Sequence, residues 1–381
     1  MGRAGFLHTA DLHLSRPFGF LPPQLAEERR RDQRRALTRI ADLAIEREVA
    51  LVLIAGDLFD SPDPDPTDLE VVTKELSRLA EAGKRIFAVP GNHDPAFAKA
   101  SAGRSATANS FWGQVSLDGL HVFLEPEWSA VVLDDLGVSI SGAAFDASKS
   151  ERRAFDGLDL PNDMASIVLA HASYELFEGQ IERYHPFSAT EIAGLNASYV
   201  ALGHYHKLNT ISANGTTACY PGTPEGISFD APEVEDRFVV IGHVEDGKVE
   251  IEPVKVNRRT MRSAEIDCTT YDSESSLVDA VRGLCDPNAL VQVKLSGSPN
   301  PDVAAGLEDL PQRFRESCFY FASDAARLRQ AFPGDLPADD RTIRGRFCKH
   351  LLRQIEEATD PERRRLLTRA LDLGLAAFAG D

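Results

Sequence analysis

Five short apolar runs punctuate the first half of the chain, at residues 6–10, 50–55, 85–89, 166–170 and 199–202, each rich in aliphatic and β-branched side chains. Runs of that length bounded by turn residues predict buried strands. Helical spacing separates the first three. Within 25–49 the apolar members Leu37, Ile40, Ala41, Ala44 and Ile45 recur at helical intervals, and 67–82 repeats the pattern. Strand, helix and strand in alternation predict a layered α/β domain. Over 115–145 and again over 210–256 the rhythm changes to strands broken by Gly, Pro and Asp, as in Phe238-Val239-Val240-Ile241-Gly242-His243-Val244 followed by Glu245-Asp246-Gly247. These segments are expected to be antiparallel strands that finish the sheets.

The pattern changes again at Asn257-Arg258-Arg259-Thr260, the expected seam. Beyond it come a strand (263–268), a helix (273–284), a strand (290–295), a helix (303–315) and a strand (318–321), a small α/β module. Pro333, Gly334 and Pro337 mark a linker. Ile343, Phe347, Leu351 and Ile355 then recur every fourth residue, Pro361 intervenes, and Leu366, Leu367, Ala370, Leu371 and Leu375 form a second helical stripe. The expected division is a large domain over 1–257, a small domain over 260–330 and a helical hairpin over 340–381.

Charge narrows the choice of partners. A formal net charge of −18 over 381 residues repels phosphate from most faces, so any contact with nucleic acid has to be local. The segment 341–381 departs from this, with nine Lys/Arg against six Asp/Glu, a local charge of +3. Glu28-Arg29-Arg30-Arg31-Asp32-Gln33-Arg34-Arg35 mixes both signs and reads as a solvated helix face. The five cysteines are scattered without a CxxC pair, which argues against a disulfide framework or a zinc knuckle. Buried thiols in a reducing cytoplasm are expected. No apolar stretch has the length of a membrane span, and the first residues lack a signal or myristoylation pattern. The expectation is a cytoplasmic protein with no membrane partner.

Chemistry enters at the strand ends. The first predicted strand runs into Asp11 and His13, which alternate along an extended segment. The second ends in Gly56-Asp57 with Asp60 close behind, the third in Pro90-Gly91-Asn92-His93-Asp94, the fourth in His171, and the fifth in Gly203-His204-Tyr205-His206. Taken singly each is ordinary, a chance DxH or a Pro-Gly turn. Together they place five of the ten histidines at strand ends, where burying them unpaired would cost several kcal/mol each. Carboxylate, imidazole and amide ligands without thiolate suit manganese, iron or zinc. The set is too large for one tetrahedral ion and right for two sharing a carboxylate. Two ions about 3.5 to 4 Å apart activate water and clamp an in-line displacement at phosphorus. Phosphoester hydrolysis is the expected reaction.

In this order, DxH, GDxxD, GNHD, a lone His and GHxH resemble the calcineurin-like metallophosphoesterase superfamily over residues 6 to about 257. Within it, FLHTADLHL, LIAGDLFDS, VPGNHD, ALGHYH and Tyr220-Pro221-Gly222-Thr223 are similar to the SbcD-type DNA repair exonucleases, most of all their YhaO-like branch. The resemblance implies a four-layer α/β/β/α sandwich with a smaller α/β capping domain and a C-terminal helical hairpin. It implies one ion held by Asp11, His13, Asp57 and His206 and another by Asp57, Asn92, His171 and His204. The ions would be Mn2+ first, with Fe2+, Zn2+ or Mg2+ as alternatives. His93 would protonate the leaving oxygen or stabilise charge on the phosphoryl group, with Asp94 orienting its ring. Partners implied are DNA, an SbcC-like ATPase gripped by the C-terminal helices, and a second copy in a homodimer. Two positions depart from common family patterns, Asp60 in place of a His and Leu12 in place of a Trp, and neither is a ligand. Arg16, Phe18 and Tyr205 are candidate substrate contacts. Phe18 and Phe20 are read equally well as a base-stacking lip or as anchors that tuck the loop against the core. A small phosphodiester substrate and a weakly catalytic partner-binding role stand as alternatives. His8, His121, His185, His243 and His350 are expected to be packed or surface imidazoles.

Overall fold

The structure, a computed structural model, describes residues 4–95, 110–175, 184–230, 233–328 and 342–379. The expected linker at Pro333, Gly334 and Pro337 lies outside them. The chain folds into two compact units, Met1–Met261 and Arg262–Asp381.

The first unit is built on two six-stranded sheets. One contains β1 (Ala4–Thr9), β2 (Leu51–Ala55), β3 (Arg85–Val89) and β4 (Leu120–Val122), extended beyond β1 by β11 (Phe238–Glu245) and β12 (Lys248–Lys255), in the order β12-β11-β1-β2-β3-β4. The other contains β5 (Ser129–Leu133), β6 (Val138–Gly142), β7 (Ala165–His171), β8 (Tyr199–Gly203), β9 (Asn209–Ala213) and β10 (Thr216–Tyr220), in the order β5-β6-β7-β8-β10-β9. Alternation along the central strands explains why they are apolar throughout. Phe6, Leu51, Leu53, Phe87 and Val89 meet Ile140, Ile167, Leu169, Tyr199 and Ala201 between the sheets. Their neighbours Leu7, Val52, Ile54 and Ile86 face outward against α1 (Pro23–Glu46) and α2 (Pro66–Glu81). On the other sheet Val168, Ala170, Val200 and Leu202 pack outward in a cluster with Ile192 of α4 (Ala189–Gly194). The result is the four-layer α/β/β/α sandwich.

In the first unit three expectations are corrected. β4 runs parallel to β3 and β6 parallel to β7, whereas β5–β6, β9–β10 and β11–β12 are antiparallel hairpins. A turn signature fixes the hairpin, but the partner on the far side is chosen by the sheet. The mixed-charge stretch of α1 is solvated on one side only: Arg31 and Arg35 are exposed, whereas Arg29 and Asp32 are fully buried. Arg29 Nη1 donates to Glu225 at 2.9 Å and Arg259 Nε donates to Asp32 at 2.6 Å, so each buried charge has a partner. Phe18 is buried beneath the Arg29 guanidinium, 5.5 Å from its ring centroid, which decides for the anchoring role of that ring.

A short helix, α3 (Phe111–Gln114), completes the first unit's elements used below. The second unit carries a three-stranded sheet of β13 (Thr260–Asp267), β14 (Ala289–Gly297) and β15 (Tyr320–Leu328) with α5 (Glu274–Arg282), α6 (Pro301–Leu307) and α7 (Leu310–Arg313). The single helix expected over 303–315 is two, because Pro311 has no N–H for the Leu307 carbonyl. Helices α8 (Ile343–Glu357) and α9 (Pro361–Ala379) bury Cys348, Leu351, Leu371 and Leu375 against each other. Ile343 and Leu366, expected in those stripes, are exposed instead. All five cysteines are free thiols, four of them buried.

The carboxyl ends of β2 and β8 approach so closely that a Cβ at Gly203 would stand 1.8 Å from the Ala55 carbonyl oxygen. Glycine there is a steric requirement of bringing the two sheets' ends together. Gly203→Ala is therefore expected to cost about 1 to 3 kcal/mol in denaturant unfolding. Gly194→Ala, whose Cβ meets nothing within 4 Å, should stay within about 0.5 kcal/mol of the parent or exceed it.

Candidate metal centre

Where β1 stops at Thr9, the chain leaves ordinary strand geometry. Asp11 and His13 have φ of 54° and 47°, Asp57 after β2 has 50°, and His204 after β8 has 102°. This left-handed region is sparsely populated by non-glycine residues, with Asp and His among the more tolerant. Tertiary hydrogen bonds impose it. The amides of Asp11, His13 and Leu14 donate to the carbonyls of Gly56, Asp57 and Leu58, all at 3.0 Å, and Gln33 Nε2 donates to the carbonyls of Leu12 and His13. The His93 amide donates to Asp57 Oδ1 at 2.9 Å, and the His204 amide donates to Asp11 Oδ1 at 2.9 Å.

The five strand ends thus converge. Ligand-type atoms of Asp11, His13 and His206 lie within 4.8 Å of one another, and the same holds for His13, Asp57 and His93 and for Asp11, Asp57 and His171. Asn92 Oδ1 joins them, 2.9 Å from His171 Nε2 and 3.1 Å from His204 Nδ1. Asp57 Oδ2 sits between the two sheets, 3.6 Å from His13 Nε2 and 3.4 Å from His171 Nε2.

Cation chemistry fits these residues on a specific observation. His13 Nδ1–H donates to Asp60 at 3.1 Å and His206 Nδ1–H donates to Glu233, so each ring turns Nε2 towards the centre, where the two nitrogens stand 3.1 Å apart. Two imidazole lone pairs repel at that distance unless a positive charge, a proton or a metal ion, lies between them. His171 is fixed in the same sense, its Nδ1–H donating to the Ala55 carbonyl at 3.0 Å.

Residues 5–208 match the family model for calcineurin-like phosphoesterases. The chain belongs to that family. Calcineurin-like phosphoesterases use divalent metals, and the converging side chains are candidate ligand groups. Similar curated proteins include the metallophosphoesterase YhaO of Bacillus subtilis, 24% identical over 302 residues that cover 77% of this chain and 69% of that protein. The DNA double-strand break repair protein Mre11 of Aeropyrum pernix is 29% identical over 68% of this chain and 63% of its own. The SbcD component of the Bacillus subtilis nuclease SbcCD is 25% identical over 58% and 62% respectively. Among the described residues no helix is long and apolar enough to cross a membrane.

Not every side chain expected in this phosphoesterase's site stands where the motifs suggested. Asp94 does not hold the His93 ring. Its buried carboxylate accepts from the amides of Gly91 (2.8 Å), Leu58 (2.9 Å) and Phe59 (3.3 Å) and from Trp112 Nε1 of α3 (3.0 Å), pinning the loops after β2 and β3 to each other. The His93 ring is held by the Asp60 carbonyl, 3.1 Å from Nδ1. Arg16 donates to Asp60 at 2.8 Å and is half-buried, so it stands one contact away from His13. Phe18, sealed in the core, offers no face to a substrate. Tyr205 is half-buried, its ring 5.9 Å from Tyr220. Glu233 went unforeseen, since it lies 27 positions beyond His206 with no motif around it.

Electrostatics follow from this crowding of carboxylates. Burial disfavours charge on His171, but Asp57 and Asp11 outweigh it and raise the imidazole to about 9. For His206, Glu233, Asp11 and Asp57 overcome burial in the same way, again to about 9. His204 goes the other way, to about 3, through burial and the charge on His171. Burial and the neighbouring Asp57 charge lift Asp94 to about 7. At pH 7 the metal-free protein therefore carries protons on His171 and His206, both below their raised values, whereas a cation needs the neutral rings. Loading should release about two protons and strengthen as pH rises towards 9. Calorimetric Mn2+ titrations in buffers of different ionisation enthalpy will measure this, and binding with a release of zero would mean that His171 and His206 are already neutral in the metal-free protein.

Proposed function

We propose that this calcineurin-like phosphoesterase is a divalent-metal-dependent phosphodiesterase acting on DNA, an exo- or endonuclease of repair that works with an SbcC-like ATPase. The observation that carries the reading is the convergence of seven ligand-type side chains, with His93 beside them, on one end of both sheets. One ion would be held by Asp11, His13, Asp57 and His206, and the second by Asp57, Asn92, His171 and His204, with Mn2+ the first choice. Such a pair of ions, when bound, supplies Lewis-acid activation of water and of the phosphoryl group.

The chain's own residues do the rest. Asp57 and Asp11 set the charge that orients both groups of imidazoles, and the three carbonyl or carboxylate acceptors on Nδ1 fix their tautomers. With a carbonyl accepting from Nδ1, the His93 ring is supported both neutral and charged, so Nε2 can hold a proton and give it to a leaving oxygen. Asp94 keeps the loops that carry Asp57 and Asn92 in register.

Mre11 and the SbcD component of SbcCD, by their names a break-repair protein and part of a nuclease, support DNA as the substrate. The acidic surface limits that contact to a local region, and Arg16 supplies a cation near the centre. The second unit reads as a capping domain over 260–330 followed by a partner-binding hairpin over 340–381. Exposed Ile343, Leu366, Leu373 and Phe378 and the local charge of +3 support docking of the hairpin on an ATPase.

Purified protein should hydrolyse both a labelled DNA oligonucleotide and bis-p-nitrophenyl phosphate with Mn2+. His93→Ala should keep its metal and lose turnover by about 10²- to 10⁴-fold. DNA cleavage should also weaken steeply with salt. Turnover of the small ester alone would replace DNA by a small phosphodiester as substrate, and turnover of neither would leave a partner-binding role.

A further inference from the structure

The segment after His206 folds back over it. The Thr223 amide donates to the His206 carbonyl at 3.3 Å, and Gly222, with φ of 77°, makes the return possible because a Cβ there would lie 2.7 Å from that carbonyl oxygen. Glu233 closes the loop from the far side. It is 3% exposed, one carboxylate oxygen accepts from His206 Nδ1, and the other accepts from Thr223 Oγ1 at 2.9 Å and from the Ile227 amide at 3.2 Å. Arg237 Nε donates to the Thr223 carbonyl at 3.1 Å, and Glu225 of the same loop is tied to Arg29 of α1 at 2.9 Å. A buried carboxylate with this many donors keeps one geometry, and so does the ring it holds.

The four imidazoles of the centre differ in what stands behind them. His206 is backed by buried Glu233, and His13 by Asp60, 15% exposed and shared with Arg16. His171 is backed by a neutral backbone carbonyl, and His204 turns Nδ1 to the Asn92 amide oxygen inside the centre itself. An anionic acceptor makes an imidazole a stronger donor to a cation and adds a second negative charge nearby. Both anionic acceptors serve the same half of the centre.

We infer that Glu233 is a positioning residue for His206, and that with Asp60 it makes the cation site containing His13 and His206 the tighter of two unequal sites. This rests on the ligand sets proposed above. Glu233 touches no reacting atom and acts only through the His206 ring.

The test is Mn2+ binding by the full chain, stripped of metal and titrated at fixed pH, with free Mn2+ read by electron paramagnetic resonance. The parent should show two classes of site. In Glu233→Gln the tighter class should weaken by about 10- to 100-fold with the weaker class unmoved, and Thr223→Val, which removes one donor to Glu233, should weaken the same class by less. Glu250→Gln, an exposed carboxylate, should change neither. Two unequal classes that persist unchanged in folded Glu233→Gln would overturn the inference while sparing the metal centre, as would equal weakening of both classes. Should Glu233→Gln fail to fold, Thr223→Val decides, and unchanged tight binding in it overturns the inference. A parent that binds no Mn2+ overturns the metal-centre reading itself, and this inference with it.

Discussion

One carboxylate, that of Asp57, ties the ends of three neighbouring strands of one sheet to a strand of the other. Its oxygens face His13 from the β1 loop and His171 from β7, and accept from the amide of His93 after β3. Four strands from two sheets thus share one buried negative charge. Such a charge is tolerated only with partners around it, so the apolar sandwich is constrained to present imidazoles and amides at that end. The steric closeness at Gly203 and the alternating core are the means by which the sheets meet that demand.

Backbone strain at the same place has the same origin. Asp11, His13, Asp57 and His204 occupy left-handed conformations costing roughly 1 to 2 kcal/mol each. Hydrogen bonds to charged groups contribute about 1.5 to 3 kcal/mol each, and the His204 amide on Asp11 and the His93 amide on Asp57 are of that kind. The balance lies close to even, which is typical of a functional site maintained by its surroundings.

Much of this was legible in the sequence, for a physical reason. Strands buried on both faces have no use for polar ends, so Asp11, His13, Asp57, Asn92, His171, His204 and His206 stood out against their own strands. What escaped notice was decided by tertiary packing. Arg29 and Asp32 resemble any exposed helical pair until Glu225 and Arg259 close over them. Asp94 stands next to His93 in the sequence, whereas its donors come from the Asp57 loop and from Trp112. Phe18 joined the core because Arg29 covers it. Glu233 had no local signal, since its role depends on a loop returning to His206. The parallel pairing of β4 and β6 escaped for a related reason: a turn signature carries information about one neighbour only.

The pairing of His13 with His206 spans 193 positions of chain. Contacts of such separation form only after a large loss of chain entropy has been met by intervening structure. During synthesis the first half of the centre emerges long before the second, so the like charges of Asp11 and Asp57 are without the imidazoles of His171, His204 and His206. Cation capture by the proposed ligand set would therefore be a late event, coupled to docking of the second sheet, and a bound ion would mark a chain whose two sheets have already closed on each other.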